Sequence, residues 1–190
     1  MGINYRQLVR GDRIHGSLLH DPDVFAEEME QIFVRGWAFV GHESEIKNNG
    51  DWVKRQLGNE SVIMVRGDDG DINVLSNRCA PRGTALCWED SGKNVCFQCT
   101  YHTWLFGLDG NLRAVPFPDG YSKPKEELGL NRAGQVANYR GFVFANLDGQ
   151  AGFIDEHLGA AGYELIDRLC DMSSSGNQDF GNGWLGHTVT

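Results

Sequence analysis

Two short segments carry the side chains best suited to chemistry: Cys79-Ala80-Pro81-Arg82-Gly83 and Cys99-Thr100-Tyr101-His102-Thr103-Trp104. The second contains Cys-x-x-His, a spacing that lets one loop offer a thiolate and an imidazole to the same inorganic centre. Cys79 precedes Cys99 by 20 residues, on another turn between short strands. Two such loops folded against each other would clamp a small metal group. The chain has five cysteines, Cys79, Cys87, Cys96, Cys99 and Cys170, and four of them fall within 21 positions. An odd, clustered set of this kind reads as metal-binding rather than disulfide-bonded.

The residues alone leave more than one metal chemistry open. Cys79, Cys96, Cys99 and His102 make three sulfurs and one nitrogen, the ligand count of a structural zinc site. That set requires Cys96 to leave an extended segment, because three extended residues span ~10 Å. The simpler reading of Cys87 and Cys96 is as small buried hydrophobes. His15, His20 and His42 read as surface or hydrogen-bonded residues, and Asp155-Glu156-His157 as a solvated helix face.

The elements that must hold these loops are short. The 190 residues include 25 glycines and carry a formal charge of −9. Glycine at this frequency points to many turns and short strands. Acidity argues against nucleic acid and against an anionic membrane surface as main partners. No segment is apolar for long enough to cross a bilayer, and the first residues lack a secretory signal, so a cytoplasmic location is expected.

Asp21 is expected to cap a helix that begins at Pro22, with Phe25, Met29, Ile32 and Phe33 at helical spacing and a left-handed exit at Gly36. Strands are expected at Trp37–Val40, Trp52–Leu57, Ser61–Arg66, Ile72–Ser76, Val95–Phe97 and Trp104–Phe106, with turns at Gly67–Gly70 and Asp109–Asn111. A loop rich in proline follows to about Leu130, then a strand pair at Gln135–Asn138 and Gly141–Asn146. Two helical stretches, Ile154–Leu158 and Tyr163–Leu169, precede a break at Ser173–Asn177. The fold class is mainly β (α+β): an antiparallel β domain with an N-terminal helix and a C-terminal, partly helical tail. The divisions expected are an arm and helix over 1–36, the β domain over 37–150, and a tail over 151–190.

With these residues in view, the sequence resembles the Rieske [2Fe-2S] domain of aromatic-ring-hydroxylating oxygenase alpha subunits. That family carries Cys-x-His-Arg-Gly and, further on, Cys-x-x-His-x-Trp. Cys79, Arg82, Gly83, Cys99, Tyr101, His102 and Trp104 match. So do Asp21-Pro22, Ile32-Phe33, Trp37, Gly41-His42-Glu43-Ser44-Glu45, Gly50-Asp51, Val65-Arg66, Asn77, Gly110-Asn111-Leu112 and Val115-Pro116. One position departs: the first cluster histidine is replaced by Pro81. A Rieske cluster holds one iron by two cysteines and the other by two histidines. Proline has no side-chain donor and no backbone N–H.

The resemblance implies that Cys79, Cys99 and His102 bind the cluster and that Pro81 impairs it. It implies an antiparallel Rieske fold, a role as electron relay from a ferredoxin or reductase, and membership of a homo- or hetero-oligomer of oxygenase subunits. It further implies a mononuclear iron, held by two histidines and a carboxylate in a catalytic domain that this chain does not contain. Tyr101 is expected near the cluster or capping the sheet, Arg82 on a carbonyl or a cluster sulfur, Trp104 mainly in core packing, and Gly83 in a backbone conformation closed to other residues. Two other readings stand beside this one: a zinc-binding Cys/His module, and a domain kept for assembly after losing its cluster.

Overall fold

A computed structural model describes residues 3–80 and 82–172. An N-terminal arm comprises a short helix α1 (Tyr5–Leu8) and a small hairpin, β1 (Val9–Arg10) with β2 (Arg13–Ile14). Helix α2 (Pro22–Glu28) follows and continues as a π-helical turn over Met29–Val34. The body contains β3 (Ala38–His42), β4 (Asp51–Leu57), β5 (Glu60–Arg66), β6 (Ile72–Ser76), β7 (Ser91–Lys93), β8 (Phe97–Gln98), β9 (Leu105–Phe106), β10 (Leu112–Ala114), β11 (Gln135–Tyr139) and β12 (Phe142–Asn146). Helix α3 (Ile154–Asp171) closes the described chain.

These strands form three antiparallel sheets in the orders β6-β5-β4-β7, β11-β12-β3 and β10-β9-β8. The middle of the first sheet explains the architecture. Residues Val62-Ile63-Met64-Val65 of β5 form an unbroken apolar run, and successive side chains on a strand point to opposite faces. Val62 and Met64 join a core with Ala38, Val40, Val143 and Ala145 of the second sheet. Ile63 and Val65 join another core with Cys79, Cys99, Trp104, Phe106 and Leu108. Strands β4 and β6 divide likewise, with Val53 and Val74 on the first side and Trp52 and Leu75 on the second. The central sheet is thus a wall with both faces buried, and the Cys/His loops are seated on one of them.

A third cluster docks α3: Trp37, Phe144, Ile166 and Cys170 pack together, and the Trp37 indole N–H donates to the Gly152 carbonyl at 2.9 Å. Gly159, at φ 57° and ψ 179°, breaks α3 between the two helical stretches expected from the sequence.

The Asp21 side chain accepts from the Asp23 N–H, and Pro22 opens α2, as the capping pattern requires. Two details of that helix differ from expectation. Gly36 is not left-handed; a Cβ there would sit 2.5 Å from the Ile32 carbonyl oxygen, so glycine is needed for a close backbone approach. Phe25 and Ile32 are exposed by 54% and 52%, and Val24 is the buried residue of the helix. The strand expected over Val95–Phe97 begins only at Phe97, and Val95 is 87% exposed. Ser173–Asn177 lie outside the described residues.

Candidate functional site

The two cysteine loops have the same hydrogen-bond pattern. In the first, Cys79 N–H donates to Thr84 O at 2.8 Å and Gly83 N–H donates to Cys79 O at 2.8 Å. In the second, Cys99 N–H donates to Trp104 O at 2.8 Å and Thr103 N–H donates to Cys99 O at 3.0 Å. Each loop turns through a left-handed residue at the same place, Gly83 at φ 69° and Thr103 at φ 57°. A glycine adopts this conformation freely, and a β-branched residue does so at a cost. The expectation for Gly83 therefore holds, and Thr103 performs the same turn without a glycine.

The loops bring Cys79 and Cys99 together. Both are buried, at 4% and 1% exposure, and the Cys79 thiol donates a hydrogen bond to the Cys99 sulfur. Burial and this contact push the Cys79 pKa up to about 12. At Cys99 burial also acts upward, but the backbone N–H groups of His102 and Tyr101, with the Cys79 thiol, outweigh it and hold the pKa below the ordinary thiol value. N–H groups converging on one sulfur form a nest that favours a thiolate.

Outside this pair, the His102 ring is half-buried and lies 3.9 Å, centroid to centroid, from the Tyr101 ring. Among the described residues no three His, Cys, Asp or Glu side chains converge as a metal centre. Of the expected ligands, the geometry joins Cys79 with Cys99 and places His102 on the same loop, with its ring against Tyr101. Cys87 is buried as expected, whereas Cys96 is half-buried and outside the packed core. The four-ligand set with Cys96 is not assembled.

Among the described residues Arg82 reaches neither a carbonyl nor a sulfur. Its guanidinium donates to the Tyr101 hydroxyl at 3.4 Å, with Cζ 5.7 Å from the ring centroid, and so links the exposed rims of the two loops. Trp104 is 1% exposed, packs edge-on against Tyr121 at 5.0 Å, and donates its indole N–H to the Tyr121 hydroxyl at 3.3 Å. Its packing role is as expected.

The support beneath the first loop is Asn77, 2% exposed. Its Oδ1 accepts from the N–H groups of Leu86 and Cys87 at 3.1 and 2.8 Å, and its Nδ2 donates to Cys87 O at 2.9 Å and Ser61 Oγ at 3.3 Å. One side chain thereby fixes the return of the loop to the central sheet. Nothing in the sequence assigned it that task, although a polar residue ending a buried strand just before Cys79 is the signal that could have.

Two cysteine loops of matched hydrogen-bond pattern, set on a β wall, make an arrangement suited to holding a small inorganic group between loop tips. The Rieske [2Fe-2S] domain family matches residues 36–139, more than half of the chain, and the chain belongs to that family. It is 39% identical over 162 residues to the N,N-dimethyl phenylurea N-demethylase subunit alpha of Sphingobium sp. (strain YBL2), covering 84% of this chain and 35% of that protein. It is 37% identical over 172 residues to the chlorobenzene dioxygenase subunit alpha of Cupriavidus sp. (strain PS12), covering 89% and 38%. Naphthalene 1,2-dioxygenase from Rhodococcus sp. superposes with a TM-score of 0.78 at 32% identity, over 85% of this chain and 37% of that one. The chain spans little more than a third of the length of these relatives.

The donor set fits the sulfur half of the family's cluster, since Cys79 and Cys99 already converge. At the nitrogen half His102 is the one matching donor, and Pro81 supplies none. No described helix is long and apolar enough to cross a membrane.

Proposed function

We propose that this chain is the cluster-bearing part of an aromatic-ring-hydroxylating oxygenase alpha subunit, with Cys79 and Cys99 holding one iron of a [2Fe-2S] cluster and His102 the other. When bound, such a cluster supplies one-electron transfer at a potential above that of all-cysteine clusters. The protein's own contribution is to hold the two thiols in register, direct backbone N–H groups at Cys99 and cover the site with the Trp104 and Phe106 core. The observation that carries this reading is the contact between Cys79 and Cys99, made by two loops of identical hydrogen-bond pattern.

On this reading residues 37–150 are the cluster domain, 1–36 an arm, and 151–190 a connection toward a catalytic domain holding a mononuclear iron. Electrons arrive from a ferredoxin or reductase in the cytoplasm, and the parent protein assembles with further oxygenase subunits. Because Pro81 removes one ligand, the cluster is held by three protein side chains and is readily lost. That same substitution favours a second reading, in which the domain serves assembly alone.

Iron and sulfide content, with the EPR spectrum of the reduced protein, separates these readings when anaerobically reconstituted wild type is compared with Pro81→His. The relay reading expects sub-stoichiometric cluster in wild type and a marked gain in Pro81→His with a Rieske-type signal. If Pro81→His also holds neither iron nor sulfide, the relay reading is wrong and the assembly reading stands.

A further inference from the structure

The two cysteine loops share a register as well as a hydrogen-bond pattern. Counting from each cysteine to its left-handed turn, Arg82 stands in the first loop where His102 stands in the second. Pro81 leaves the first loop without a donor, yet the next side chain of that loop crosses to the other. Arg82 Nη1 donates to the Tyr101 hydroxyl at 3.4 Å, and its Cζ lies 5.7 Å from the centre of the Tyr101 ring. A guanidinium at that distance is within reach of the attraction between a cation and an aromatic ring.

The chain of contacts continues to His102. The Tyr101 ring lies 3.9 Å from the His102 ring, centroid to centroid, at an interplanar angle of 37°. Tyr101 is 58% exposed, so the core does not hold it. Among the described residues its side chain makes hydrogen bonds or ring contacts only with Arg82 and His102, and no protein group bonds either ring nitrogen of His102. The imidazole is therefore set by the tyrosine ring, and the tyrosine ring by the guanidinium.

We propose that Arg82 is a positioning residue for His102, acting from the opposite loop through the ring of Tyr101. The proposal rests on the reading of His102 as a cluster ligand. A ligating imidazole is ordinarily oriented by a hydrogen bond to its second nitrogen, and at His102 ring packing takes the place of that bond. Arginine suits the task because its charge is permanent and its planar group lies against a ring while one N–H reaches the hydroxyl. An imidazole already restrained loses less rotamer freedom when it binds. Without Arg82 the Tyr101 side chain is free to turn out to solvent, and the imidazole is released with it. Arg82 thus gives the first loop a hold on the nitrogen half of the site.

The test reads His102 without and with iron, in the full 190-residue chain. In iron-free protein carrying isotope-labelled histidine, the His102 ring protons are identified by their absence in His102→Gln. At a fixed alkaline pH they should show the ring-current displacement of a packed tyrosine. Tyr101→Leu should abolish that displacement, and Arg82→Leu should remove roughly half of it or more. Arg82→Lys should restore most of it and Tyr101→Phe should keep it, because the cation and the ring both remain. Iron release to a chelator is then timed in reconstituted Pro81→His, where adding Arg82→Leu should speed it about 2- to 5-fold, the factor expected of an exposed cation–ring contact. Tm should move little, since Arg82 and Tyr101 are both exposed. An unchanged displacement in Arg82→Leu overturns the proposal, whatever the iron content. A lost displacement with unchanged iron release overturns it as well, because the orientation then has no effect on the site. If Pro81→His takes up no iron, the relay reading fails, and the positioning of His102 is decided by the ring displacement alone.

Discussion

Gly83 and Thr103 occupy the same place in two matched loops, each donating its N–H to the carbonyl of the cysteine four residues earlier and each at positive φ. The equivalence predicts substitutions of opposite sign. A Cβ at Gly83 would meet nothing within 4 Å, so Gly83→Ala costs backbone strain alone, about 1–2 kcal/mol. Thr103 is exposed and already bears that strain, so Thr103→Gly removes it and sets against it about 0.5–1 kcal/mol of added unfolded-state entropy. Urea denaturation should show Gly83→Ala destabilised and Thr103→Gly neutral or slightly stabilised. A clear loss of stability in Thr103→Gly would show that its side chain does more than tolerate the turn.

Asn77 is the polar joint between the central sheet and the first loop. Asn77→Ala leaves the buried N–H groups of Leu86 and Cys87 and the Cys87 carbonyl without that partner. An unsatisfied buried group costs about 1–3 kcal/mol, so the variant should lose on the order of 2–4 kcal/mol. Thermal unfolding should report the loss, with reduced iron retention after reconstitution because the segment after Cys79 is no longer fixed. Unchanged Tm would mean that water or a shifted backbone satisfies those groups.

The parts of this fold that were legible were those in which one residue type has one job. The run Val62–Val65 reads as a strand from its branched residues, and the two cysteine segments read as turns between short strands, which is what they are. Strand β7, Ser91-Gly92-Lys93, carries no hydrophobic pattern; it pairs with β4 because Gly92 leaves room for the Trp52 indole, whose ring atoms would lie 2.8 Å from a Cβ at that position. The hairpin of β1 and β2 is exposed on both strands and equally silent. The four bonds of Asn77 reach partners 9 to 16 residues away, which local propensity does not report, and the left-handed turn at Thr103 is hidden because no glycine marks it.

Asp167 gives the domain a pH-dependent anchor for α3. The Arg140 guanidinium, then the Tyr139 hydroxyl, both at 2.9 Å, hold its carboxyl below the usual carboxylate range. A lowered pKa means that the folded state binds its proton less readily than the unfolded state. The stabilisation is therefore complete above the ordinary carboxylate pKa of about 4 and is lost as pH falls through the folded value. The Tm difference between wild type and Asp167→Asn should be largest near neutral pH and shrink steadily in acid. A difference that persisted undiminished at low pH would assign the contact to hydrogen bonding without charge.

The β11–β12 hairpin turns on two residues, Arg140 at φ 49° and Gly141 at φ 90°, between the paired Tyr139 and Phe142. Positive φ at both positions is the geometry that twists with the flanking strands. Arg140 accepts the strain while pairing with Asp167 and Asp171, and Gly141 meets a second demand: a Cβ there would lie 2.3 Å from Nε2 of the buried His42 ring. That ring is fixed by Ser44 Oγ at 2.8 Å from Nδ1 and by edge-on packing on Phe142 at 5.2 Å, so it cannot yield cheaply. Gly70, at φ 89°, serves as the control, because a Cβ there meets nothing within 4 Å. Gly70→Ala should cost about 1–2 kcal/mol of strain, and Gly141→Ala a further 1–3 kcal/mol from forcing a packed core to move. Equal costs in the two variants, measured by chemical denaturation, would mean that the His42 side of the second sheet is softer than its packing implies.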